Sequence, residues 1–213
     1  MKKVYFVIGA VMLLVGAVFA IPALARGQNS QVADVFAFDP FPTHGEQITG
    51  AQAKLRRNED GLQLGLKTND LEPNTAVTIW WIIFNNPEQC AGYPDTECGL
   101  VDLENPGVAP EISYATGGVV NRNGQVRFTA NLGSGHTTQE WFGNGLINPI
   151  SAEVHVIVHS HGPVILELKD DMISTFRGGC RDDEMIVPGH PAYDDGTPGP
   201  NQCEDLQFAV FQP

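Results

Sequence analysis

The chain reads as an all-β protein: a single antiparallel β-sandwich, or barrel-like, domain with long disulfide-closed loops. Three observations predict this. Short apolar, β-branched runs recur between clusters of glycine, proline and asparagine, the spacing of sandwich or barrel strands. No stretch beyond the N-terminal leader carries a sustained 3.6-residue period, and no repeat period appears. The four cysteines of the 213-residue chain fall in two close pairs within loop-like sequence.

Residues 1–25 have the form of a secretory signal peptide. Lys2 and Lys3 form a basic start, residues 4–19 are almost wholly apolar, and Ala23-Leu24-Ala25 is an A-x-A cleavage box. The rival, an uncleaved anchor, arises because the run approaches spanning length; Pro22 and the small residues after it favour cleavage. The short basic region is bacterial in style, which predicts a periplasmic or secreted protein with no stable membrane span after cleavage.

Cleavage would leave 188 residues, enough for one domain with a full core. The leader holds two lysines and no acid, so the formal charge of −13 becomes −15. A chain so acidic is repelled by nucleic-acid phosphates and anionic lipid, which excludes nucleic acid as a natural partner. It leaves a cell-envelope or extracellular ligand as the candidate partner.

Residues 26–46 are weakly patterned, with Asp39-Pro40-Phe41-Pro42 blocking a helix, and read as an extended leader to a domain spanning 47–213. Residues 48–57 predict a strand and Asn58-Glu59-Asp60-Gly61 a turn. Leu62, Leu64 and Leu66 then alternate with Gln63, Gly65 and Lys67, the pattern of a half-buried strand. Residues 76–84, AVTIWWIIF, predict a strand buried on both faces, with Trp80 and Trp81 pointing to opposite sides.

A long loop at 85–110 carries Cys90 and Cys98. Residues 112–132 read as a hairpin about Asn121-Arg122-Asn123-Gly124. Residues 133–149 are glycine-rich, with one short helical turn. Residues 177–201 form a loop closed by Cys180 and Cys203, and 206–211 predict a last strand. Among three possible connectivities, short spacing favours Cys90 with Cys98 and Cys180 with Cys203. Such loops stabilise by roughly 2.5 and 3.5 kcal/mol in the chain-entropy model. A site built from all four cysteines on zinc is disfavoured because no C-x-x-C spacing is present.

Residues 151–169, SAEVHVIVHSHGPVILELK, hold three of the six histidines. Alternation puts Val154, Val156 and Val158 on a core face. His155, Ile157, His159 and His161 then face solvent, a cleft or a second layer. Residues two apart on a strand are separated by roughly 6.7 Å, so His159 and His161 can converge on one copper or zinc ion. His155, four from His159, would need a bulge or a second ion. His44, His136, His190 and Glu153 are the further candidate ligands. The structural alternative is that the histidines hydrogen-bond neighbouring backbone.

Other constellations are weaker. Asp170-Asp171, Asp182-Asp183-Glu184, Asp194-Asp195 and Glu204-Asp205 are oxygen-rich, but Asp194-Asp195-Gly196 lacks the spacing of a calcium loop. Gly133-Ser134-Gly135-His136 lacks the strand-to-helix elbow of a serine hydrolase. No phosphate-binding glycine loop is present. Trp81 and Trp141 are candidates for stacking on sugar rings at a loop end.

Two segments, LRRNEDGLQLGLKTNDLEPNTAVTIWWIIFN and AEVHVIVHSHGPV, together with the cysteine placement and the ending LQFAVFQP, resemble a group of exported bacterial proteins of unassigned function. A looser likeness is to the chordin-type (CHRD) domain, a secreted β-sandwich that pairs a leucine-rich hairpin with a histidine-bearing strand before Gly-Pro. His155, His159, His161, Gly162 and Pro163 match that pattern in type. Thr78–Trp81 departs from it, with tryptophans where a histidine-bearing strand would stand. The resemblance implies export and a sandwich fold, and no activity. The functional expectation is a non-catalytic binding or envelope-associated module, with a copper or zinc protein and a carbohydrate binder as alternatives.

Overall fold

The computed structural model describes residues 29–39, 44–135, 140–143, 145–181 and 196–213. The expected signal peptide at 1–25, His136, His190 and the acidic groups at 182–184 and 194–195 lie outside these residues. The protein is a sandwich of two antiparallel sheets. The smaller contains β1 (Asn29–Ala33), β3 (Gln52–Asn58), β4 (Gly61–Thr68) and β7 (Val126–Gly133), in the order β1-β3-β4-β7. The larger contains β2 (Phe36–Ala37), β5 (Thr75–Phe84), β6 (Pro110–Val119), β8 (Glu140–Gly143), β9 (Glu153–Pro163) and β10 (Glu204–Phe211). Its order is β2-β10-β9-β5-β6-β8.

The alternating leucines behave as their period requires. β3 and β4 form the predicted hairpin, Asn58 opposite Gly61, and Leu62, Leu64 and Leu66 all face inward. From the other sheet they meet Val77, Ile79, Trp81 and Ile83 of β5 and the valines of β9. β5 is buried on both faces: Trp81 enters the inter-sheet core, while Trp80 joins a second cluster on the sheet's outer side.

Two expectations need correction. The leader at 26–46 contributes residues 29–37 to the sandwich, because β1 pairs with β3 and β2 with β10, and Val35 is fully buried. The segment at 112–132 is not a hairpin. β6 pairs with β5 and β8, whereas β7 pairs with β4, so the turn at Asn121–Gly124 carries the chain from one sheet to the other. Among the described residues after 133, Glu140–Gly143 forms β8, an edge strand beside β6; the helical turn expected within 133–149 falls in a stretch of which 136–139 and 144 lie outside the described residues.

The outer face of the larger sheet is roofed by two disulfide loops. Cys90–Cys98 closes the loop between β5 and β6, and Cys180–Cys203 the loop between β9 and β10. The latter opens with a 3-10 turn at Leu166–Leu168 that runs into α1 (Lys169–Met172). Both pairings match the short-spacing expectation. Removing Cys180–Cys203 by paired alanine substitutions is expected to lower stability by about 3.5 kcal/mol. Urea unfolding measures this, and a loss under 1 kcal/mol would contradict it. No helix among the described residues is long and apolar enough to cross a membrane.

Candidate functional site

The two faces of β9 divide as alternation predicts. Val154, Val156 and Val158 pack into the inter-sheet core, and His155, Ile157, His159 and His161 turn outward. The outward face is not open. His155, His159 and His161 are all sealed from solvent under the two disulfide loops. Of the alternatives for this face, the second layer is what the fold builds.

His155, on β9, meets the first loop by way of Glu153. Its Nε2–H donates to Glu153 Oε1 at 2.7 Å, and the same oxygen accepts the Cys98 backbone N–H at 2.8 Å. The imidazole also packs edge-on against Phe84, 5.0 Å between centroids. Glu153 therefore ties strand to loop through one buried oxygen. Replacing it by alanine leaves the Cys98 N–H without that acceptor, at an expected cost of about 2–3 kcal/mol. Chemical unfolding checks this; an unchanged midpoint would contradict it.

His159 and His161 lie together beneath the second loop, ring centroids 4.9 Å apart and nearly perpendicular. The antiparallel register brings Asp205 of β10 and Thr78 of β5 to either side of His159. His159 Nδ1–H donates to Asp205 Oδ1 at 2.8 Å, and its ring stacks on Phe176 of the loop at 4.7 Å. Its Nε2 is buried with no hydrogen-bond partner among the described residues. A carboxylate on one imidazole nitrogen and a bare lone pair on the other is the arrangement that primes a histidine for a metal.

His161 has both nitrogens occupied, and its tautomer follows from its neighbours. Nδ1 lies 2.9 Å from the Gly178 carbonyl oxygen, which can only accept, so Nδ1 carries the proton. In the neutral ring Nε2 then accepts from the Thr78 hydroxyl at 2.8 Å, and Thr78 Oγ1 in turn accepts from Trp80 Nε1–H at 2.8 Å. Burial holds the His161 pKa down at about 3, helped by the neighbouring His159 and opposed by the Gly178 carbonyl. The ring is neutral at ordinary pH.

The roof brings sulfur to the same place. Cys180 Sγ is 3.5 Å from His161 Nδ1. One ligand atom from each of His159, His161, Cys180 and Cys203 lies within 4.8 Å of the others, a cluster that could hold a metal ion. Its two sulfurs are bonded to each other and are not thiolates. The grouping of Cys90, Cys98 and Asp102 is weaker as a site. Its sulfurs are likewise joined, and the Asp102 carboxylate accepts the Ala91 and Gly99 backbone N–H groups at 2.8 and 2.7 Å.

Several candidates go elsewhere. His155 does not join the metal cluster, as its four-residue separation from His159 requires on a straight strand. His44 lies apart, with Nε2–H donating to Glu97 Oε2 at 2.9 Å. The sugar-stacking role expected of Trp81 and Trp141 does not hold. Trp81 is wholly inside the inter-sheet core, and Trp141 is buried face to face with Phe176 at 4.3 Å.

The residues that sequence reading passed over are Thr78, Phe176 and Gly178, with Asp205 seen only as half of an acidic pair. Each reaches the histidines through strand register or loop path. No protein-family model matches the chain, and no curated protein and no solved structure matches it either. What the protein does has to follow from the arrangement of its own side chains.

Proposed function

We propose that the protein is an exported, disulfide-stapled sandwich that acts by binding, as a non-catalytic module of the cell envelope or exterior. The observation that supports this is the use made of the histidine strand. All three imidazoles are sealed inside, His159 and His161 against Phe176 and Gly178 of the second loop and His155 against Glu153, which holds the first loop, so none is open to a substrate. The strand holds the loops still, and the loops are what meets the surroundings. The first disulfide loop forms one wall of a groove of about 430 Å³ against His44, with Tyr93, Thr96 and Glu97 along it. That volume lies in the range of small-ligand sites, and Tyr93 is half-exposed there.

The test is co-sedimentation with purified bacterial sacculi and with envelope vesicles at low and moderate salt. Retention by one of these that Tyr93→Ala abolishes supports the proposal. A wild-type protein that stays in the supernatant throughout overturns it.

A second reading, a copper or zinc protein, is favoured by the bare, carboxylate-backed Nε2 of His159. It requires near-stoichiometric metal after loading of the purified protein and its loss in His159→Ala. Substoichiometric metal, unchanged by that substitution, removes it.

A further inference from the structure

We infer that Cys180, Cys203, His159 and His161 form a redox-gated zinc site, closed by the disulfide and opened to the metal when a dithiol reduces it. This rests on the metal-binding reading of the same cluster and adds its ligand set, its metal and its switch.

The geometry carries it. A tetrahedral zinc with sulfur ligands at about 2.3 Å and imidazole nitrogens at about 2.0–2.1 Å has sulfur–nitrogen edges of roughly 3.5 Å and a sulfur–sulfur edge of roughly 3.8 Å. The His161 Nδ1 to Cys180 Sγ distance is already 3.5 Å. One atom of each of the four side chains falls within a 4.8 Å span. What does not fit is the bond between the sulfurs, and breaking it lets them part to the zinc edge.

The outer partners are also in place. His159 would bind through Nε2, the buried nitrogen without a partner, while Nδ1–H stays on Asp205. His161 would bind through Nδ1 after its proton moves to Nε2. There Thr78 Oγ1, which already accepts from Trp80, accepts it with its second lone pair. Both metal-bound rings would then donate their other N–H to an oxygen, the usual support of such ligands. The Gly178 carbonyl gives up its bond to His161, a change confined to the loop that carries Cys180.

The chemistry balances. A dithiol reductant delivers two electrons and two protons to the Cys180–Cys203 bond, becoming a disulfide itself and leaving two thiols. Zinc displaces both thiol protons, and the His161 proton changes nitrogen without net loss. Zn²⁺ with two thiolates and two neutral imidazoles carries no net charge. That suits a pocket walled by Phe176.

The experiment compares oxidised and dithiol-reduced full-length protein, each titrated with Zn²⁺ and with Co²⁺ as a spectroscopic stand-in. The inference expects one metal per reduced chain, a thiolate-to-cobalt charge-transfer band with tetrahedral visible bands, and recovery by zinc of melting temperature lost on reduction. Metal affinity should fall about 10–100-fold in Asp205→Asn, a positioning change. It should be lost in His159→Ala and unchanged in His155→Ala. The same cobalt spectrum is expected in a Cys90→Ala/Cys98→Ala variant, where only the second pair can supply thiolate.

A reduced chain that binds cobalt equally with and without His159 overturns the inference, since unfolded thiols alone would do that. So does a reduced chain that zinc fails to re-stabilise. Stoichiometric metal on the oxidised protein would sink the redox gate and keep the simpler metal reading. No metal in either state removes both.

Discussion

Replacing Arg57 with methionine is expected to lower the unfolding free energy by about 4 kcal/mol, read as a shift in urea midpoint at neutral pH. Arg57 is almost wholly buried at the inward-facing end of β3. Its Nε–H donates to Gln31 Oε1 at 2.7 Å, and its two terminal nitrogens donate to the carbonyls of Pro149, Ala152, Phe211 and Gln212. One guanidinium thus joins β1, the turn before β9 and the end of β10. Burial lowers its pKa to about 10 against the favourable pull of Glu153, so it remains charged at neutral pH. Methionine fills similar space but leaves the carbonyls it served without their donor. Lysine keeps the charge without the fork and should recover only part of the loss. A loss under 1 kcal/mol for methionine would mean that water replaces the fork without cost.

Arg57 also shows what was legible in the sequence. Alternation through Ala53, Leu55 and Arg57 places all three inward, while residue type argues that an arginine should face water. Period and type disagree there, and nothing local reveals that several carbonyls from distant segments converge on that point. Where period and type agree, as at Leu62, Leu64 and Leu66 or through β5, the strand and its buried face could be read directly.

The failures have a common physical origin. Asn123-Gly124 reports a tight reversal, with Gly124 at φ +68, but a reversal does not say whether the next strand returns to the same sheet. Here it crosses to the facing one. β1 and β2 lie at sheet edges, and β2 is two residues long, too short to show a period. Edge pairing is set by partners the segment itself cannot specify.

The site divides the same way. The convergence of His159 and His161 follows from their two-residue spacing on one strand, and the cysteine pairing from the short separations. Asp205 and Thr78 come from strands 46 and 81 residues away along the chain. They arrive only through the registers Asp205 opposite His159 and Thr78 opposite His159. Spacing locates ligands within a strand; register supplies the groups that orient them.

Acidification should destabilise the protein through His161, and the effect should be as large as that of Arg57→Met. The folded-state pKa is about 3, held down first by burial, whereas the unfolded chain takes up the proton near 6.5. Between these values the unfolded state binds more protons than the native state, so stability rises with pH. The contribution is complete above about pH 6.5 and falls by about 1.4 kcal/mol per unit below it, reaching roughly 4 kcal/mol at pH 3. Carboxylates titrate in the same window, so the comparison that isolates His161 is wild type against His161→Gln. Glutamine keeps a donor and an acceptor for Gly178 and Thr78 and has no proton to gain. The difference in unfolding free energy between the two proteins, measured by urea at half-unit steps from pH 7 to pH 4, should change with that slope. Parallel curves would show that acid protonates His161 inside the folded state, which would require the roof formed by the second disulfide loop to admit water and charge.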